Sequence, residues 1–153
     1  MVAGTQHADW RQVLLIGRSG KPEIHTGSQA LGVCGQKIGK DCAAAGNLLD
    51  NEKVPDSMVD AFESSNGTLA QRLVATMKAA LNAGGEAGPV HSMGVQVADK
   101  VPWPVIDLRV DWSDQPFDDL EKLWEVYQPQ IDAYVTRAVN PDDSPSYGVP
   151  GDL

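Results

Sequence analysis

The stretch that most constrains the fold is residues 42–49, which read Cys-Ala-Ala-Ala-Gly-Asn-Leu-Leu. Its small apolar residues are typical of a buried strand, but Gly46 and Asn47 interrupt that pattern near the end of the stretch. A glycine inside a strand indicates a β-bulge or a close approach of another backbone, and a buried asparagine amide needs hydrogen-bond partners. The stretch therefore predicts a strand that ends beside a polar site.

Size and charge restrict the class of protein. The chain has 153 residues, of which 42% are hydrophobic and 22% charged, as is typical of one globular domain with its own core. The net charge of −9 disfavours binding to nucleic acid or to an anionic membrane surface. No apolar run reaches membrane-spanning length and the N-terminus lacks a signal-peptide core, so we predict a cytoplasmic protein.

Composition also predicts how the chain is divided. Residues 140–153 are rich in Pro and Asp and contain few apolar side chains. Such a segment cannot bury enough apolar surface to offset the entropy of ordering it. We therefore expect a single domain over residues 1–139 and an extended or disordered tail over residues 140–153.

The two cysteines, Cys34 and Cys42, are eight positions apart and do not form a metal-binding pair. Since no further Cys or His follows at ligand spacing, we predict neither a metal site nor a cofactor. In a reducing compartment both cysteines are expected to be small buried residues. A catalytic thiol would need a histidine partner that the spacing does not supply, and the sequence leaves the pairing of the two cysteines open.

The first part of the chain predicts three strands. The apolar run 13–16 and residues 22–26 flank a turn at residues 18–21, which predicts a hairpin. Residues 27–40 are rich in glycine and are expected to form an irregular loop. Residues 42–49 are the third predicted strand.

Two helices are predicted next. Pro55 suits a first helical turn, and the apolar spacing continues to about Glu63. Thr68 and Gln71 form a capping box that begins a longer helix, which Gly84 and Gly85 end. The apolar stripe of that longer helix is predicted to consist of Leu69, Leu73, Met77, Ala80 and Leu81.

The last part of the chain predicts a second strand pair and a third helix. Apolar and polar residues alternate over residues 92–98 and 105–110, which is typical of half-buried strands. Ser113 or Asp114 is expected to cap the third helix, and Pro129 to kink or interrupt it. Strands followed by segregated helices indicate an α+β fold with antiparallel sheets.

Several short motifs follow one another in an order and spacing that resemble a known family. They extend over roughly residues 9–127 and include Trp10-Arg11-Gln12, His25-Thr26-Gly27, Ala44-Ala45-Gly46-Asn47-Leu48-Leu49, Gly67-Thr68-Leu69 and Asp107-Leu108-Arg109-Val110-Asp111. In this series the chain resembles the family catalogued as domain of unknown function 1028, which has an Ntn-hydrolase-like fold. The resemblance implies part of an αββα sandwich with antiparallel sheets and helices on the outer faces.

The chain departs from the family pattern in three places. The family's opening Thr-aromatic-Ser-Ile-Val strand is not found, although in N-terminal-nucleophile hydrolases that first residue supplies the nucleophile and, through its α-amine, the base. Ala45 stands where the family has Gln, and His91 replaces a Gln after a turn that lacks the family's Arg. We therefore expect a separately encoded N-terminal subunit with a Thr nucleophile, or self-association that closes the sheet.

The candidate substrate-binding residues are Asn47, Gly46, His25, Thr26 and Arg109. The Asn47 amide could stabilise an oxyanion beside Gly46, or it could tie two loops together. His25 and Thr26 could line the same pocket, or serve a structural role at the end of their strand. Arg109 shares a strand face with Asp107, which permits an ion pair, and the alternative is contact with a substrate carboxylate.

Two functions agree with these observations. The first is a subunit of a split Ntn-type amidohydrolase, which cleaves an amide-type C–N bond of a small molecule and takes its nucleophile from a partner chain. The second is a non-catalytic homo-oligomeric module that binds a small molecule or has a structural role. We expect neither a nucleic-acid nor a membrane partner in either case.

Overall fold

The computed structural model describes residues 2–18 and 21–151, and the chain divides into two compact units, Met1–His91 and Ser92–Leu153. The described residues form six strands, paired in three antiparallel two-stranded sheets, and four α-helices. The α+β fold class predicted from the sequence is confirmed. Within the described residues, no helix combines the length and the apolar character that a bilayer crossing requires.

The first unit begins with the predicted hairpin. Strand β1 (Gln12–Leu15) pairs with strand β2 (Glu23–Thr26), and Gln12 lies directly opposite Thr26 in the register. Residues 19 and 20, the centre of the predicted turn, lie outside the described residues. The pairing confirms the predicted hairpin and places two polar side chains next to each other at its open end.

The second sheet corrects one prediction. Strand β3 (Val33–Ile38) lies within the segment expected to be an irregular loop, and it pairs with strand β4 (Ala43–Leu49). The glycines of this segment serve close packing: a Cβ on Gly35 would lie 2.7 Å from the Glu52 carbonyl oxygen and 2.9 Å from the ring of Pro55. Glycine there allows β3 to approach the following helix, so its presence did not indicate irregular backbone.

Two helices complete the first unit. Helix α1 (Val54–Ser64) and helix α2 (Leu69–Asn82) lie close to their predicted positions. The capping box is confirmed, since the Gln71 backbone N–H donates to Thr68 Oγ1 at 3.3 Å and the Thr68 N–H donates to Gln71 Oε1 at 2.8 Å. The buried face of α2 differs from the predicted stripe, because Leu69 is 47% exposed while Ala70 and Val74 are buried.

The Arg72 side chain joins these two helices. Its Nε and Nη2 donate to the Phe62 carbonyl oxygen at 3.2 and 2.9 Å, and its guanidinium lies 3.9 Å from the centre of the Phe62 ring. A carbonyl in the last turn of a helix has no partner within the helix, so Arg72 satisfies a group that α1 leaves unpaired.

The second unit contains the third sheet and two helices. Strand β5 (Met93–Ala98) pairs with strand β6 (Pro104–Val110), and their burial alternates as predicted, with Ile106 buried and Arg109 exposed. Helix α3 (Pro116–Tyr127) is followed by a 3-10 turn (Gln128–Gln130) and helix α4 (Ile131–Val139), so the interruption predicted at Pro129 is confirmed.

The start of α3 differs from the prediction by one or two residues. The N-cap is Gln115, whose N–H donates to Ser113 Oγ at 3.0 Å, while the Ser113 hydroxyl donates to Asp119 Oδ2 at 2.7 Å. Ser113 therefore shapes the turn before the helix and bonds a carboxylate inside it, while the cap position itself is taken by Gln115.

The segment after α4 is ordered in part by one arginine. A 3-10 turn covers Pro141–Asp143, and Arg137 Nη2 donates to the Pro145 carbonyl oxygen at 2.5 Å. The Arg137 guanidinium lies 3.7 Å from the centre of the Tyr147 ring, which is a cation–π contact. The predicted domain limits, residues 1–139 with a tail over 140–153, stay a prediction.

We predict that Leu120→Ala lowers the free energy of unfolding by about 3 kcal/mol, since Leu120 has no exposed surface and its truncation leaves a cavity. Leu123→Ala on the same helix is the matched control, because Leu123 is 40% exposed and its loss is expected to cost about 1 kcal/mol or less. Urea unfolding followed by circular dichroism measures both. Equal losses in the two variants would contradict the assigned core.

Candidate functional site

A β-bulge distorts the end of β4, as Gly46 predicts. Val33 pairs with Leu49 and Gly35 with Gly46, so three steps along β4 face two steps along β3. Leu48 takes up the additional residue with a φ of 54°, a left-handed conformation that crowds a side chain. For an L-residue with a Cβ this conformation costs about 1–2 kcal/mol, and bulges of this kind often reorient side chains beside a site.

Asn47 lies within the bulge and is bonded to the scaffold. Its Nδ2 donates to the Leu31 carbonyl oxygen at 3.3 Å, and the Leu48 N–H donates to the same oxygen at 3.0 Å. The Leu48 carbonyl in turn accepts from the Ala87 N–H at 2.8 Å. The amide thus connects two segments, as the structural interpretation of Asn47 predicts. Its role toward a substrate stays a prediction.

A chain of side-chain hydrogen bonds connects the two sheets of the first unit. Gln12 Nε2 donates to the Gly46 carbonyl oxygen at 3.1 Å and to Thr26 Oγ1 at 3.0 Å. The Thr26 hydroxyl donates to Gln36 Oε1 at 2.7 Å. We call this series, from Gly46 through Gln12 and Thr26 to Gln36, the polar relay. It brings together two predicted site residues, Gly46 and Thr26, through a residue that the sequence did not single out.

His25 connects β2 to the segment before β1. Its Nε2 donates to the Ala8 carbonyl oxygen at 3.0 Å, at the start of the 3-10 turn Ala8–Trp10. Beside it, a Cβ on Gly27 would overlap the backbone of Ala8 and Asp9, and the Gly27 N–H donates to the Arg11 carbonyl at 2.9 Å. Glycine is required at this position because two backbones touch there.

A cavity of about 470 Å³ lies between β2 and β3. Its lining residues are Ile24, His25, Thr26, Cys34, Gly35 and Gln36. The volume lies within the range of small-molecule sites, and four of the six lining side chains can form hydrogen bonds. The predicted pair His25 and Thr26 therefore lines one pocket, and among the described residues Asn47 is not part of that lining.

Arg109 belongs to the second unit and is exposed. Its Nε lies 3.2 Å from Asp111 Oδ1, whereas Asp107 Oδ2 accepts from Gln96 Nε2 at 3.1 Å. Arg109 thus pairs with Asp111, and not with Asp107 as the shared strand face would permit. A substrate contact by Arg109 stays a prediction.

Three site residues were not found from the sequence as candidates: Gln12, Gln36 and Cys34. Gln36 and Cys34 were missed because the segment 27–40 was predicted to be a loop, which hid the strand that presents them. The sequence does contain a signal for this strand. The run Val-Cys-Gly-Gln-Lys-Ile has the length of a strand and is bounded by glycines, although its apolar and polar residues alternate poorly.

The cysteines are both free and lie at opposite ends of the β3–β4 hairpin, and both are half-buried, so the prediction that they are buried was wrong. Cys34 Sγ faces the Gly32 and Leu31 carbonyl oxygens at 3.7 and 3.9 Å beside the cavity, while Cys42 lies at the hairpin turn, where the Gly39 N–H donates to its carbonyl. No group of three His, Cys, Asp or Glu side chains in residues 2–18 and 21–151 is arranged to hold a metal ion.

These features define an α+β protein with a polar cavity of small-molecule size, and comparison with known proteins assigns its family. The model of DUF1028, described as a family of unknown function, matches residues 1–120, so the chain belongs to this family. The resemblance stated from the motifs is confirmed. No curated protein matches the chain.

A solved structure agrees with the family assignment. The crystal structure of a DUF1028 protein from Silicibacter pomeroyi is similar to this chain, with 28% sequence identity and a TM-score of 0.74. The similarity covers 83% of this chain and 54% of the other, so the chain spans about half the length of that protein.

We predict that the protein is more stable with glycine than with alanine at position 48, which is the reverse of the order in an ordinary strand. Because the left-handed φ of Leu48 crowds any Cβ, Leu48→Gly is expected to exceed Leu48→Ala in unfolding free energy by about 1 kcal/mol. The matched control is Leu14 in β1, where the alanine variant should be the more stable of the two. Denaturant unfolding of the four variants checks this, and the same order at both positions would contradict it.

We predict that Cys42 ionises only at high pH. Burial raises the pKa of its thiol, and the Glu63 carboxylate raises it further, so the reactive thiolate appears above the ordinary thiol value of about 8.5. Alkylation by iodoacetamide in a Cys34→Ser background, measured against pH by mass spectrometry, should follow that raised value. Glu63→Gln should move the profile to lower pH, and a midpoint at or below the ordinary value would contradict the prediction.

Proposed function

We propose that this chain forms the substrate-binding wall of an Ntn-type amide hydrolase, and that a second polypeptide segment supplies the nucleophilic N-terminal Thr. The segment can be joined to this chain in a longer precursor or be encoded separately. The proposal includes an αββα sandwich as the complete architecture and a cytoplasmic location. The DUF1028 assignment supports it through the Ntn-hydrolase-like fold that the sequence resemblance implies.

The observation that carries the proposal is the cavity with its polar lining. His25, Thr26 and Gln36 line a space of about 470 Å³, the polar relay links Thr26 and Gln36 to the Gly46 carbonyl beside the bulge, and His25 is bonded to the Ala8 carbonyl. Side chains held by one another and by the backbone are preorganised, so they bind a ligand at a low entropic cost. Asn47, which follows Gly46, is the proposed donor to a developing oxyanion.

The proposed reaction has two steps. The Thr hydroxyl oxygen attacks the amide carbonyl carbon while its proton passes to the Thr α-amine, and the C–N bond breaks as the leaving amine takes that proton. Water then attacks the resulting ester, its proton passes to the α-amine and on to the Thr oxygen, and the carboxylic acid leaves. This chain contributes binding groups and the oxyanion contact, and the partner segment contributes the nucleophile and the base.

Exposed apolar strand residues support an additional segment. Leu15, the last residue of β1, and Ile16, which follows it, are 51% and 52% exposed, and Ile38 in β3 is 46% exposed. Two-stranded sheets are only marginally stable when one apolar face is open to water, and a strand edge with unpaired N–H and C=O groups can pair with a further strand. A further strand at an edge of either sheet would cover part of this apolar surface and approach the first unit.

The test is co-expression of this chain with the polypeptide encoded directly upstream, followed by native mass spectrometry and reaction with a β-lactone. A complex is expected, with the acyl adduct on an N-terminal Thr of the partner segment. Asn47→Ala should slow adduct formation by about 10²–10³-fold, whereas Asn66→Ala, at an exposed position in the turn before α2, should have no effect. Absence of any N-terminal adduct in the complex would reject the hydrolase.

A binding module without catalysis is the second candidate, and one observation favours it. His25 Nε2 and both protons of Gln12 Nε2 are used in bonds to the scaffold, which suits groups that shape a ligand site. In this case two copies of the chain would close the sheet. If the same mass spectra show a homo-oligomer that does not bind the upstream polypeptide, this function is favoured over the first.

A further inference from the structure

We propose that the cavity between β2 and β3 selects ligands with a –CO–NH– group, such as lactams, imides and ureides, over carboxylates and over esters. The carbonyl oxygen would accept from the Gln36 amide, and the ligand N–H would donate to His25 Nδ1. This inference rests on the proposed function, since it names the substrate class of the same site.

The direction of the polar relay follows from its first acceptor. The Gly46 carbonyl oxygen can only accept a hydrogen bond, so the Gln12 atom that lies 3.1 Å from it must be the nitrogen. The same nitrogen lies 3.0 Å from Thr26 Oγ1, so the second Gln12 proton goes to the Thr26 oxygen. A backbone carbonyl thereby determines the orientation of a side-chain amide in β1.

The relay then determines what Gln36 presents. Because Thr26 Oγ1 accepts from Gln12, its own proton is available for the bond of 2.7 Å to Gln36 Oε1. Because the Gln36 oxygen is held by Thr26, we infer that the amide turns its NH₂ group to the cavity that it lines. The ligand atom at this position must therefore be an acceptor.

The second polar group of the cavity has the opposite character. The Ala8 carbonyl oxygen also only accepts, so the proton of the neutral His25 ring is on Nε2, which lies 3.0 Å from that oxygen. Nδ1 then carries a lone pair and calls for a ligand donor. We infer that the cavity presents one donor group from its β3 wall and one acceptor from its β2 wall, since Gln36 and His25 both line it.

This pairing discriminates among ligand classes. A carboxylate accepts at both oxygens and leaves Nδ1 of His25 without a donor, and an amidinium donates at both nitrogens and meets the Gln36 NH₂ group. A –CO–NH– group in a small ring carries one acceptor and one donor on the same edge, so it satisfies both walls. His25 is half-buried and Gln36 is exposed, and a polar group that a ligand covers without pairing weakens binding, which is how such a site rejects close analogues.

The experiment uses the full chain labelled with ¹⁵N and two ring probes of equal size, δ-valerolactam and δ-valerolactone. The lactone retains the carbonyl but replaces the N–H with oxygen. Titrations followed by NMR should shift the Gln36 side-chain NH₂ signals with both, and the lactone should bind about fivefold or more weakly. Equal affinity for the two rings, or no shift with the lactam, overturns the proposal.

Variants separate the relay from simple crowding. Thr26→Val keeps the side-chain volume but removes the hydroxyl, which frees the Gln36 amide to rotate. The ratio of lactam to lactone affinity should therefore fall toward one. Thr26→Ser keeps the hydroxyl and should retain the preference for the lactam. Gln36→Glu should abolish lactam binding. Gln29→Glu, which makes the same charge change at an exposed position outside the cavity lining, should leave lactam binding unchanged. A Thr26→Val variant that discriminates like the unmodified chain overturns the relay.

The two proposals fail separately. Lactam binding is measured on this chain without nucleophile or turnover, so a lactam preference without any β-lactone adduct in the co-expressed complex rejects the hydrolase and retains the ligand class. An N-terminal Thr adduct without a preference for lactam over lactone rejects the ligand class and retains the hydrolase.

Discussion

The hydrogen bond from Gln12 to the Gly46 carbonyl is the contact on which the geometry of the cavity depends. It crosses from β1 to β4, which belong to different two-stranded sheets. A second proton on the same nitrogen reaches Thr26, which lies opposite Gln12 in the register of the hairpin. One amide thus sets the spacing between two sheets and the orientation of the side chains that face the space between them.

Close backbone contacts support this arrangement. Gly27 lies against the backbone of Ala8 and Asp9, and Gly35 lies against the start of α1. The strands are short, so little of their position is determined by ladder hydrogen bonds, and contacts of this kind determine how far apart the elements lie. The cavity is bounded by β2 and β3, and each of these strands is placed by one of the two glycines.

Local patterns in the sequence predicted the helices and the hairpin because their causes are local. The capping box at Thr68, the interruption at Pro129 and the alternation in β6 each depend on residues within a few positions. Strand β3 was missed in this way despite the short run that marks it, since its glycines match a loop until the Pro55 ring is placed beside Gly35. Leu69 was misplaced because one residue turns a helix face by about 100°.

The candidate site was predicted only in part, for the same reason. His25 and Thr26 were chosen together and do line one cavity, and the glycine in the Ala-rich strand does mark a bulge. Gln36 lies across a sheet boundary from Thr26, so no sequence spacing relates the two residues. The partner of Arg109 also depended on side-chain reach rather than on strand register, which selected Asp111 over Asp107.

The fixed direction of the relay limits how this sequence can change over time. The Gly46 carbonyl accepts, Gln12 Nε2 donates to both of its neighbours, and Thr26 accepts from Gln12 and donates to Gln36, so a single replacement that reverses one group places two donors or two acceptors face to face. A lineage that altered Gln12 would have to compensate at Thr26 or Gln36 to keep the cavity unchanged. Covariation among these positions in family members would therefore record the direction of proton donation.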